Sequence, residues 1–187
     1  MAFAARHDVT ADEYFALTDQ LPRFTELVDG EVIVNAPSVL HQHIVMGLCR
    51  RLLGWIEAGP GRGQCGIPSD VQVDQRNVYA PDIWWCREDR KPGLEAIRLP
   101  ELPDLAVEVL SPSTRRYDLG NKRARYEALG LPELWIIDPK RQTAMQLRRS
   151  SSTLPIFDTW IDIAVDDQLE SPQLPDFAVR LADLFGA

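Results

Sequence analysis

The segment Pro103-Asp-Leu-Ala-Val-Glu-Val-Leu-Ser-Pro-Ser-Thr114 constrains this chain more than any other stretch. Between Leu105 and Leu110 an apolar run is interrupted only by Glu108. A short run of this kind reads as a strand covered on both faces. A carboxylate inside it must be paired, protonated or bound to a cation, because an isolated buried charge is too costly to keep. Glu108 is therefore a candidate functional residue, although a structural acid with a partner satisfies the same demand.

Asp82 repeats the pattern in Ala80-Pro-Asp-Ile-Trp-Trp85. It is again an acid among apolar residues on a predicted strand, and Pro81 suits a strand start or an edge. Alone, Asp82 reads as a solvent-facing acid at a strand end. If its strand neighbours that of Glu108, both carboxylates face one point. Paired carboxylates suit a hard divalent cation such as Mg2+ or Mn2+.

The helix predicted after Glu108 is capped by Ser113 or Thr114 and stopped by Gly130 after Leu129. Leu119, Tyr126 and Leu129 define its apolar stripe, and Lys122 falls within that stripe. A lysine facing the sheet needs an anionic neighbour; the alternative is a stem that packs while the ammonium reaches water. His41 lies on the stripe of an earlier helix, in line with Ile44, Leu48, Leu52 and Trp55. A histidine so placed is more often a satisfied core residue than a ligand. His43 points to solvent. Glu26 and Glu31, flanking a hairpin turn, suit either solvent or the site.

The remaining elements follow from local signals. Thr10-Ala-Asp-Glu13 has the capping-box form, so a short helix runs from about Thr10 to Leu17. Phe24 to Val28 and Val32 to Asn35 flank Asp29-Gly30, a strong hairpin signal. Ser38 caps a long helix through about Glu57, ended by Gly59-Pro60-Gly61. Strands are expected near Ser69 to Val73 and Val78 to Cys86, with residues 87 to 103 a surface loop. Glu133 to Ile137 reads as a buried strand, and Thr143 to Arg148 and Trp160 to Val165 as antiparallel strands. Strand, helix, strand over 104 to 138 predicts a crossover between parallel strands. The hairpins on either side make the sheet mixed.

With 187 residues the chain suits one domain: an N-terminal helix and hairpin at about 10–36, a core at about 38–138, and C-terminal strands at about 142–185. Its formal charge of −8 argues against broad, non-specific nucleic-acid binding. It leaves room for a small basic groove, or for an acidic site offset by a divalent metal. Cys49, Cys65 and Cys86 form neither a zinc spacing nor a disulfide framework, which points to a reduced, cytoplasmic setting. No apolar stretch approaches the ~20 residues of a membrane span. There is no GxxxxGK[ST] loop, no GxGxxG and no GxSxG elbow. Ser111 and Ser113 read as turn and cap residues, and Trp84-Trp85 as core.

Several motifs together resemble one family. They are Glu26-Leu-Val-Asp-Gly-Glu31, Ala36-Pro-Ser with His41-Gln42, Pro81-Asp82, the Pro103 to Thr114 segment, and Asp118 with Lys122 and Tyr126. Gly130-Leu-Pro-Glu-Leu-Trp-Ile-Ile-Asp138 and the closing Leu-Pro-Asp-Phe complete the set. In the order acid, acid on a buried strand, lysine, they resemble the PD-(D/E)xK nucleases, and more closely the Uma-two family of restriction-endonuclease-like proteins.

The resemblance implies an α/β, three-layer restriction-endonuclease-like fold, with a mixed central sheet flanked by helices and β-hairpins at both ends. It implies Mg2+ or Mn2+ held by Asp82 and Glu108. The wider group carries its lysine two residues after the second acid, where this chain has Leu110, so Lys122 is the expected substitute. The function to expect is metal-dependent hydrolysis of DNA phosphodiester bonds. A backbone carbonyl near Val109 would add a ligand, and His41 would hydrogen-bond a metal-bound water or a phosphate oxygen. A homodimer suits cutting of both strands. The rivals are a non-catalytic nucleic-acid- or protein-binding member of the same fold, and a purely structural acid–lysine pair.

Overall fold

The computed structural model describes residues 8–112 and 115–186, so the predicted cap at Ser113 or Thr114 lies outside the described residues. In chain order the N-terminal elements are α1 (Ala11–Ala16), β1 (Thr25–Val28), β2 (Glu31–Val34) and α2 (Val39–Glu57). Then come β3 (Gln64–Gly66), β4 (Val71–Asp74), β5 (Asn77–Tyr79), β6 (Ile83–Cys86), β7 (Leu105–Val109) and α3 (115–128). The chain ends with β8 (Glu133–Asp138), β9 (Thr143–Arg148), β10 (Thr159–Ile163), β11 (Gln168–Ser171) and β12 (Leu174–Arg180).

A six-stranded mixed sheet, ordered β10-β9-β8-β7-β6-β3, forms the centre. Its one parallel pair is β7 with β8, joined across α3, as the strand-helix-strand pattern predicts. Alternation along the strands supplies both faces. Leu105, Val107 and Val109 face α2, where they join Ile44, Leu48, Leu52, Trp85, Trp135 and the β12 residues Phe177 and Val179. Ala106 and Leu110 face the other way, with Trp84, Leu134, Ile136, Tyr79 and Tyr126. Glu108 belongs to this second face.

The caps form as their sequences predict. Thr10 and Glu13 make a reciprocal capping box, and the Ser38 hydroxyl accepts from the His41 amide at the start of α2. The Asp29-Gly30 turn joins β1 to β2, with both residues at positive φ.

Three features differ from the sequence reading. Val78 to Cys86, read as one strand, is two strands in different sheets. β5 pairs with β1 and β4 in a separate sheet, ordered β2-β1-β5-β4, while β6 joins the central one. The break falls at Ala80-Pro81-Asp82, where Pro81 has no N–H to offer a ladder. The N-terminal hairpin consequently lies in that smaller sheet. Finally, α3 contains a π-helical stretch, Asp118–Lys122, before returning to α-helix at Arg123–Ala128.

Candidate functional site

Asp82 and Glu108 meet through the register of β6 and β7. Ile83 pairs with Val107, Trp84 with Ala106 and Trp85 with Leu105. Continued by one residue, this antiparallel register sets Asp82 opposite Glu108, on one face. Opposed side chains across such a ladder stand close, about 5 Å apart at Cβ, so both carboxylates share one region. The backbone aligns the first of them: the Val109 amide donates to Asp82 Oδ2 at 2.7 Å. His41 Nε2 lies 3.2 Å from the same oxygen. His41 itself is buried, and its Nδ1 has no hydrogen bond among the described residues.

Lys122 reaches the sheet from α3. Its Nζ lies 2.8 Å from Glu108 Oε1, 2.8 Å from Glu26 Oε1 and 3.3 Å from Asp118 Oδ1. The ammonium also stands 5.5 Å from the centre of the Tyr79 ring. With 1% of its surface exposed, Lys122 does not snorkel to water. Tyr126 completes the cluster by donating to Glu108 Oε1 at 3.0 Å, and the Ala80 amide donates to Glu26 Oε1 at 2.7 Å.

This packing perturbs the titration of the cluster. Burial raises the Glu108 carboxyl well above the usual range; the Lys122 charge opposes that, while Asp118, Glu26 and Asp82 reinforce it. Glu26 is raised for the same first reason, again against the pull of Lys122. For Lys122, burial works against the charge, but Glu108, Glu26 and Asp118 outweigh it and hold the pKa well above the usual lysine value. Burial, followed by the Glu108 charge, raises Tyr126. One ammonium thus faces more carboxylates than it can neutralise. Either a retained proton or an added cation balances the remainder.

The structure brings Asp82, Glu108, Lys122 and His41 together, and it separates Glu26 from Glu31. Glu26 enters the cluster, whereas Glu31 accepts from Tyr117 at 3.3 Å. His43 is exposed. Asp118 and Tyr126 were not singled out chemically by the sequence reading. Asp118 stands four residues before Lys122, the spacing of a helical ion pair, and that was the available signal.

A cation fits the donor set in part. Among the described residues no group of three His, Cys, Asp or Glu side chains is arranged to hold a metal ion. Two carboxylates suffice for Mg2+, which keeps several of its waters. All hydrogen bonds and ion pairs to Asp82 and Glu108 among the described residues fall on one oxygen of each, Oδ2 and Oε1. The Val109 carbonyl points to the same side of β7 as its amide, toward Asp82, because the two groups of one strand residue point to one neighbour. Access is from a cleft of about 230 Å³ lined by His41, Asp82, Phe24, Pro37, Met46 and Ile67.

Comparison with known proteins places this geometry in context. The fold matches a solved structure described as "a putative nuclease belonging to DUF820" from Anabaena variabilis ATCC 29413, with a TM-score of 0.76. The two share 20% identity over 95% of this chain and 97% of that one, a likeness of fold. No curated protein matches the chain. The model of the Uma2 family, described as "Putative restriction endonuclease", matches residues 11–182, and the chain belongs to that family.

Proposed function

We propose that this protein is a metal-dependent endonuclease that hydrolyses DNA phosphodiester bonds at the Asp82–Glu108–Lys122 cluster. The observation that carries the reading is the convergence of two carboxylates from neighbouring strands with a buried ammonium on one of them. Family membership supports a nucleic-acid substrate. Asp82 and Glu108 would hold Mg2+ or Mn2+, with the Val109 carbonyl as a further oxygen. When bound, the cation lowers the pKa of a water and neutralises charge on the phosphate.

The chain's own residues do the rest. Val109 and His41 fix the Asp82 carboxylate. Glu26 and Asp118 hold the Lys122 ammonium beside Glu108. From there Lys122 orients the attacking water or donates to the phosphate oxygen that gains charge. Tyr126 restrains Glu108 through its hydroxyl. His41, which lines the cleft, hydrogen-bonds a water or a phosphate oxygen as the substrate enters.

The test is nicking of supercoiled plasmid. The wild type is expected to nick in Mg2+ and to stop in EDTA, and folded Glu108→Ala to show no nicking. Equal rates for wild type and variant sink the reading.

One observation favours a second reading, a binding protein of the same fold: Lys122 is engaged by three carboxylates and shielded from water. Calorimetric titration with Mn2+ separates the two. Absence of binding at millimolar metal, in a folded sample, selects the second.

A further inference from the structure

The charge of this protein is segregated along the chain. Residues 115–149 contain nine of its 20 Lys and Arg and four of its 28 Asp and Glu. A chain of net −8 therefore holds a stretch of net +5. Three of the four acids, Asp118, Glu133 and Asp138, are buried, against two of the nine bases, Lys122 and Arg149, so the surface of this stretch is more basic than the count. The stretch begins just beyond the strand of Glu108 and comprises α3, β8, β9 and the turn between the last two.

Between α3 and the β9–β10 hairpin lies a groove of about 390 Å³. Leu110 and Ile136 line it. Leu110 stands two residues after Glu108 on the same face of β7, and Ile136 is the register partner of Glu108 on β8. The groove thus starts one strand away from the acidic cluster.

Its basic wall is held in place. Arg115 Nη1 lies 2.8 Å from Asp138 Oδ2, and the Lys140 and Arg141 amides donate to Asp138 Oδ1 at 3.1 and 3.2 Å. The Lys140 and Arg141 side chains of that turn are exposed, Arg141 with 73% of its side chain exposed and its Nε 3.8 Å from Asp138 Oδ2. Further along α3, the Arg123 guanidinium stands 5.2 Å from the ring centre of Trp160, which is 54% exposed. Arg123 Nε has no hydrogen bond among the described residues.

We propose that this groove is where the phosphate backbone of the DNA lands, with Arg115, Lys140 and Arg141 facing phosphates and Arg123 with Trp160 offering a stacking surface beyond them. The proposal rests on the nuclease reading for the identity of the polyanion. Charge complementarity carries it: a polyphosphate is repelled by an acidic surface and is drawn to the basic stretch beside the cluster. Asp162 lines the same groove without an ion pair among the described residues, and it opposes the anion.

Fluorescence anisotropy with labelled DNA, in EDTA and again in Ca2+, tests the proposal without requiring cleavage. The double variant Lys140→Glu with Arg141→Glu is expected to bind at least about tenfold more weakly and to reduce the salt slope by about 2. Asp162→Asn is expected to bind more tightly. Arg50→Glu, a charge reversal on exposed α2, is expected to stay within about twofold of the wild type. Wild-type affinity in the double variant overturns the proposal. So does an equal loss in Arg50→Glu, displacement by poly-glutamate as effective as by unlabelled DNA, or no wild-type binding in either buffer. A protein that binds through this face yet never nicks DNA leaves the landing surface standing and removes the hydrolase reading.

Discussion

At the scale of single residues, Lys122 sets the energetics of the site. Its ammonium is the counter-ion of Glu26, Glu108 and Asp118 within 3.3 Å. Removing one partner of a buried ion pair strands the others without compensation and costs about 3–5 kcal/mol. Lys122→Met is expected to lose that much stability at neutral pH. The loss depends on pH in a defined direction. Glu26 and Glu108 have folded pKa values above their unfolded ones. Their contribution is complete below the usual glutamate range and disappears as pH rises through the raised values. Lys122, also raised, contributes through neutral pH and ceases only above the usual lysine range. The urea-unfolding stability of Lys122→Met should therefore fall steeply as pH rises above the usual glutamate range, while the wild type changes less. Parallel curves for the two proteins contradict this assignment.

Glu108, Asp82, Lys122 and His41 were each legible because a polar residue broke an apolar period. Glu26 was ambiguous, since beside a hairpin turn the alternation of two short strands does not say which sheet face will be covered. Tyr126 reads as stripe, because an aromatic ring on an apolar face satisfies that pattern whether or not its hydroxyl has a task.

At the scale of elements, the first turn of α2 links helix stability to the cleft. The Ser38 hydroxyl accepts the amide of His41, whose ring reaches Asp82. Ser38→Ala is expected to cost about 1 kcal/mol, while Ser38→Asp keeps the cap. Thermal unfolding checks both; an unchanged midpoint for the alanine variant contradicts the role of the cap. The long helices, the hairpin and the parallel crossover were readable because period, cap and turn agreed. Two elements were not. β3 is three residues, too short to show a period. Its pairing with β6 instead requires Gly63, at φ +78°, where a Cβ would lie 2.0 Å from the Cys86 carbonyl oxygen. The π-helical stretch in α3 inserts its extra residue without any distinctive composition, so only tertiary packing of Asp118 and Lys122 marks it.

At the scale of the molecule, two polar clusters tie the layers together. One is the site. The other is Glu133 on β8, which accepts from Trp135 Nε1 at 2.7 Å, Ser171 Oγ at 2.6 Å and Gln173 Nε2 at 3.0 Å. It fastens the β11–β12 hairpin to the central sheet, aided by Trp135 stacked on Phe177 and by Trp55 donating to the Pro175 carbonyl. Glu133→Ala leaves those donors without their acceptor and is expected to cost about 2–3 kcal/mol. Hydrogen exchange should quicken first in residues 168–180, with β1 and β2 retaining protection. Uniform acceleration across the chain would contradict a local fastening. The sequence reading anticipated a closing hairpin but not this tie, because Ser171 and Gln173 are ordinary turn residues until the fold sets them beside Glu133.

Lys122 joins Glu26 of the smaller sheet to Glu108 of the central one, so on the proposed mechanism the same ammonium would serve as reagent and as rivet. Decay of activity in a lineage then has a preferred order. Asp82 and His41, which line the cleft, can change while the sheets stay joined; Lys122, Glu26 and Glu108 cannot change singly without loosening that joint. A descendant that no longer cuts DNA would keep the lysine, and the presence of that lysine alone would be a poor sign that the chain is still an enzyme.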